Sequence, residues 1–116
     1  MISSDTTEAL VAALRGTGGR TIPEVLAVLA SLGVDVEGEN AMLFGEYVVA
    51  WLGMSADATA ALNALVADER VEVLPSSEAA YLAVGYEAPF PAITAAELSQ
   101  RFDEPRWLPT ELIVRR

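Results

Sequence analysis

The reactive side chains of this chain form a short menu. Its 116 residues include no cysteine, no histidine and no lysine, and all 7 basic residues are arginine. Thiolate nucleophiles, zinc–thiolate centres and disulfides are therefore excluded. The commonest general base and metal ligand is missing with histidine, and no lysine can form a Schiff base or complete a phosphate loop. What remains are 17 carboxylates, the hydroxyls, 3 tyrosines and the arginines. Paired carboxylates can hydrolyse glycosides, but they need a cleft. Asp68-Glu69 is such a neighbouring pair, and it falls where a helix is predicted to end, as a solvated terminus. Asp35, Glu37 and Glu39 alternate like calcium ligands, without the full loop spacing. Gly16-Thr17-Gly18-Gly19 has the glycines of a phosphate loop without its Lys-Ser/Thr ending. These stretches read as a solvated loop and a connector. No catalytic, metal or cofactor residue is expected, and the chain reads as not an enzyme.

Charge narrows the partners. The formal net charge is −10. Residues 1–87 hold 13 acids and 3 arginines, whereas residues 88–116 hold 4 of each, so the whole excess lies on the first part. An acidic surface repels nucleic-acid phosphates and favours solubility. No apolar run approaches the roughly 18 residues of a membrane helix, and the first ten residues lack the basic region of a secretory signal. A cytoplasmic protein with no membrane contact is expected. With 53% hydrophobic residues, the length suits one domain and a modest core. Arginine in place of lysine, with abundant Ala, Val, Gly and Leu, suggests a GC-rich genome.

The elements that would position these groups read as mostly helical. Asp5-Thr6-Thr7-Glu8 fits a capping box ahead of Leu10, Val11 and Leu14, and Gly16 stops that helix. Thr21-Ile22-Pro23-Glu24 is a second capping box, followed by the stripe Ile22, Val25, Leu26, Leu29 and Leu32 and by Gly33 as the stop. Val34 to Asn40 reads as an acidic loop. The apolar run Ala41 to Leu52 predicts a central helix. Ser55 can cap a helix to about Asp68 that turns Leu62 and Leu65 inward. Val71 to Leu74 alternates as a strand, Pro75 to Glu78 reads as a turn, and Tyr81 to Tyr86 as the returning strand. Thr94 to Glu97 is a third capping box, with a staple from Ile93 to Leu98 and a short helix to about Phe102. Asp103 to Arg116 is predicted as an extended arm, within which Leu112-Ile113-Val114 could add a short strand.

The stretch GEYVVAWLGMSADATAALNALVADERVEVL, followed by YLAVGY, resembles the winged helix-turn-helix family over about residues 45–86. A helix bearing Val48, Val49 and Leu52, the turn Gly53-Met54-Ser55, a second helix and a hairpin in the wing position carry the likeness. It implies a mainly α fold with a small β-hairpin (α+β), as one winged-helix-like domain over residues 1–87 with a C-terminal short helix and extended arm over 88–116. The segment LVAALRGTGGRTIPEVLAVLASLG is also similar to the peptide-binding winged-helix domains of peptide natural-product pathways.

In DNA-binding winged helices the second helix brings Arg, Lys, Asn or Gln to base edges. Here Ala56 to Glu69 has no basic residue. The expected function is thus a non-catalytic protein-interaction module, an accessory or regulatory factor of phage or actinobacterial type. Asp57, Ala60, Asn63, Asp68 and Glu78 are the expected partner-binding residues on the second helix and wing. Arg101, Phe102, Arg106, Trp107 and Leu108 are those of the arm, since aromatics and arginine favour interfaces. The alternatives are a DNA-binding regulator, acting as a homodimer or with a partner and presenting Arg101, Arg106, Arg115 and Arg116 to phosphates, and a phage structural or assembly component.

Overall fold

The computed structural model describes residues 4–86, 90–94, 96–97 and 100–115. Ser4–Leu14 forms helix α1, Arg20–Thr21 the short strand β1 and Ile22–Ser31 helix α2. The capping box of α2 is complete. The Thr21 hydroxyl accepts from the Glu24 amide, and the Glu24 carboxylate accepts from the Thr21 amide at 3.1 Å. Its far end closes around Gly33 (φ +90°), with Gly33 N–H on the Ala30 carbonyl and Val34 N–H on that of Leu29. That pair of bonds is a Schellman motif, which a left-handed glycine permits. Leu32, expected on the core stripe, is the C-cap and stays 43% exposed. At α1 the expected box is not made. Asp5 already lies inside the first turn, and Glu8 binds Arg70 at 2.7 Å instead.

The next segment departs from the sequence pattern. Where a helix is predicted from Ala41 to Leu52, the chain forms an antiparallel hairpin of β2 (Glu37–Gly45) and β3 (Val48–Met54). A continuous apolar run has no diagnostic period and suits a buried strand as well as a buried helix. Val48, Val49, Phe44, Tyr47 and Trp51 favour extended backbone, and Gly45 inside a helix would cost about 1 kcal/mol. The acidic stretch predicted as a loop supplies the start of β2. Glu37 and Asn40 both face Met54, an irregularity of the bulge kind. Gly38 lies in this stretch. A Cβ there would stand 2.6 Å from the Met54 carbonyl oxygen and the Ser55 Cα, so a larger residue must displace backbone.

Helix α3 (Ala56–Val66) starts at Ser55, whose Oγ accepts from the Ala58 amide at 2.9 Å. Strand β4 (Val71–Pro75) follows. The expected returning strand is helix α4 (Glu78–Ala83). Its start is fixed by Ser77, which accepts from the Ala80 amide at 3.1 Å. Its end is fixed by Gly85 (φ +87°), with Tyr86 N–H on the Tyr81 carbonyl at 3.0 Å. Both termini are satisfied locally, which favours helix over the predicted returning strand. The helix-turn-helix with wing over residues 45–86 is therefore not formed: its first helix is a hairpin and its second wing strand is a helix.

Strands β5 (Arg106–Trp107) and β6 (Thr110–Val114) complete two three-stranded sheets. One is antiparallel in the order β1-β6-β4 and the other runs β2-β3-β5, with β5 parallel to β3. The domain is thus α+β rather than mainly α, and the predicted arm supplies the middle strand of the first sheet. That sheet and its three helices follow the order helix, strand, helix, helix, strand, strand. The hairpin is inserted between α2 and α3, and the stretch holding α4 and β5 lies between β4 and β6. The main core joins Leu10, Leu14, Val25, Leu29, Leu62, Leu65 and Leu112 to Met42, Ala50 and Met54 of the hairpin. Val48, Ile93 and Leu108 form a smaller cluster against which Phe102 packs. At the Thr94 signal the described residues Ala96 and Glu97 are in a 3₁₀ turn, the Thr94 amide donates to the Glu97 carboxylate at 3.1 Å, and residues 100–102 are not helical. Leu98, the expected staple partner, lies outside the described residues.

Candidate functional site

Helix α2 is apolar on more than one side, since only Glu24 and Ser31 among its ten residues are polar. Ile22, Pro23, Val25, Leu26 and Leu29 are buried. Ala27 and Ala30 are exposed on a further face. Opposite them stand Val36 and Glu37 at the entry to β2, Trp51-Leu52-Gly53 of β3, and Tyr86 beyond α4. Together with Pro23 and Leu26 they line a groove of about 350 Å³. Leu52 and Tyr86 are 40% and 44% exposed there, so large apolar surface remains in water at its walls.

A row of rings stiffens one wall. Trp51 lies 5.5 Å from Tyr86, edge to face, and 5.5 Å from Tyr81, which in turn meets Trp107 edge-on at 4.9 Å. Such tilted and edge-on pairs suit the ring quadrupoles. The Tyr81 hydroxyl donates to the Thr110 carbonyl at 2.7 Å and accepts from the amides of Ile22 at 3.2 Å and Thr110 at 3.4 Å. One side chain of α4 thereby satisfies an orphan donor at the start of α2 and fastens β6. Burial pushes its phenol up to about 12, against the lowering effect of the two amides. It is held neutral, as a strut. The buried Trp107 indole N–H has no partner among the described residues.

Two other grooves are more polar. One of about 360 Å³ at the hairpin tip is lined by Phe44 to Val48 and Gln100 to Phe102. Another, of about 290 Å³ between α1 and α2, has the Arg20–Glu24 ion pair (3.0 Å) in its wall. Burial resists ionisation of Glu24, but bonds from Thr21 and Arg20 outweigh it and hold the carboxyl below its usual value.

The carboxylates are structural where their partners are visible. Asp68 accepts from the Arg70 guanidinium at 2.7 and 2.9 Å and from its amide at 2.9 Å, which hold its carboxyl at about 2. The same guanidinium lowers Glu8. Asp35 accepts from the Glu37 amide at 3.2 Å, and Glu111 from the Ser76 hydroxyl at 3.1 Å. Among the described residues no three acids gather as metal ligands, and no helix is long and apolar enough to cross a membrane.

The expected partner-binding residues are divided by this arrangement. Asp57, Ala60 and Asn63 share an exposed face of α3. Asp68 follows that helix, bound to Arg70, and Glu78 is on the separate helix α4. In the C-terminal segment Trp107 and Leu108 are core, at 1% and 6% exposure, rather than contact surface. Phe102 is half-buried under the Arg106 guanidinium, 5.4 Å from its ring centre, and Arg101 is exposed beside the hairpin tip. None of these ten residues lines the α2–hairpin groove. The available signal was α2 itself, too apolar for a helix with one buried face. No family model, no curated protein and no solved structure matches the chain.

Proposed function

We propose that the chain is a non-catalytic protein-interaction module, acting as an accessory or regulatory factor through the groove between α2 and the hairpin. The observation that carries this reading is the groove's apolar wall, with Leu52 and Tyr86 left 40% and 44% exposed over the half-buried Trp51. Exposed apolar groups gathered around a concavity mark contact sites, whereas scattered ones do not. The carboxylates support the non-catalytic part, because Glu8, Glu24, Asp68, Glu97 and Glu111 are each held by a structural partner.

The test is affinity capture from the native host with the wild-type chain and with Leu52→Asp. A protein held in stoichiometric amount by the first and lost by the second is the expected result. Capture that is indifferent to Leu52→Asp overturns the groove as the site. A mobility shift of random duplex at low salt, with no protein captured, would instead establish the nucleic-acid reading.

A further inference from the structure

We propose that the occupant of the α2–hairpin groove is a basic amphipathic helical segment of the partner, its aliphatic side chains seated against Leu52 and Tyr86. This rests on the interaction reading above and adds the chemistry of the partner. The argument from shape begins with Ala27 and Ala30. They lie one turn apart on the exposed side of α2 and leave that wall low, so a helix can approach it closely. A groove with a helix on one side and aromatic side chains on the other suits an amphipathic helix laid along it.

The argument from charge is independent. Glu37 lines the groove, and its neighbours Asp35 and Glu39 are exposed. Among the described residues no arginine lines it, and several have other places. Arg20 is bound to Glu24, Arg70 to Asp68 and Glu8, and Arg115 to the Glu69 carbonyl, while Arg101 lies at the hairpin tip. The groove is a largely apolar slot with the Glu37 carboxylate in its wall, on a chain of net charge −10. An acidic partner would meet like charge there, which costs encounter rate and affinity.

The test uses the full chain and two synthetic helical peptides with identical leucine positions. One carries lysine and arginine on its polar face, and the other carries glutamate. Binding is followed by NMR at Ala27, Ala30, Leu52 and the Trp51 indole. The basic peptide should shift these signals and bind at least about tenfold more tightly than its acidic twin. Leu52→Ser keeps the charge and should weaken it about fivefold or more. Glu37→Gln should weaken it about two- to fivefold. Equal binding of both peptides at these residues overturns the basic preference and leaves the groove as the contact site. Shifts confined to other surfaces and indifferent to Leu52→Ser overturn the proposal as general attraction to an acidic protein. No binding by either peptide, with native capture of a protein unaffected by Leu52→Asp, overturns the groove as the contact site, whereas no captured protein at all overturns the interaction reading itself.

Discussion

The two sheets have three strands each and are held in opposite ways. In β1-β6-β4 the β4–β6 pairing runs without a shift from Val71↔Val114 to Pro75↔Thr110, and β6 alternates buried and half-buried residues along its length. In β2-β3-β5 the hairpin register slips repeatedly, and β2 buries only Met42 of its nine residues. The difference follows from what covers each strand. A one-residue slip in β6 would carry Leu112 and Val114 out of the main core, so its register is strongly specified. A slip in β2 exposes little that is not already in water. The less specified layer is also the one that builds the groove with α2.

Breaking the first sheet should have the largest effect. Truncation after Pro105 removes β5 and the central strand β6, and circular dichroism should then show no cooperative melt. A folded truncated chain would mean that the first sheet is not the framework. Next in size is a contrast between the two layers. Leu62→Ala, in the main core, should cost about 2–5 kcal/mol, whereas Leu43→Ala, on the exposed strand, should stay within about 0.5 kcal/mol. Urea unfolding of both variants measures this, and similar losses would erase the distinction.

Tyr81 links the two regions, and Tyr81→Phe should cost about 2 kcal/mol by leaving buried amides and a carbonyl unpaired. Because its folded pKa is raised to about 12, the contribution from its neutral form is full below about pH 10 and is lost as pH rises towards 12. Melts from pH 8 to 12 should show that extra loss in the wild type and not in the phenylalanine variant. Within the hairpin, Gly38→Ala should cost at least about 1 kcal/mol, because its Cβ meets backbone at 2.6 Å. Gly45→Ala, whose Cβ finds its nearest neighbour at 3.9 Å, should cost less in the same unfolding assay.

The smallest effect concerns acid. Arg70 holds Asp68 at about 2 and lowers Glu8. Their stabilisation is complete above the ordinary carboxylate range, at about pH 5 and higher, and is lost as pH falls through 4 towards 2. Arg70→Met should flatten the acid limb of a melting-temperature profile from pH 6 to 2. An unchanged slope would show that this link between α1 and the end of α3 contributes nothing.

The local signals in the chain were legible. The Thr21–Glu24 box, the Ser55 cap, the Gly33 stop, the strand from Val71 and the burial of Leu62 and Leu65 are all as the sequence predicts. Each cap needs partners only a few residues away, so a short window contains its whole cause. The Ser77 cap and the Gly85 closure of α4 are equally local, yet the segment's place after Val71 to Leu74 and a turn predicts a returning strand there.

The groove was not legible in the same way. Its walls come from α2, from the two hairpin strands and from Tyr86, segments that sequence order keeps apart. The menu of reactive side chains with which the sequence begins was settled by composition alone: no thiol, no imidazole, no amine beyond the chain terminus. The sequence by itself also determined where α2 and α3 start, because their helix caps are satisfied by neighbours. Only the tertiary structure decided that Ala41 to Leu52 pairs as strands, that the C-terminal segment runs through the middle of a sheet, and that Tyr81 bonds across 59 residues to Ile22. A strand's hydrogen bonds are completed by distant chain, and no local window holds both halves of the pair.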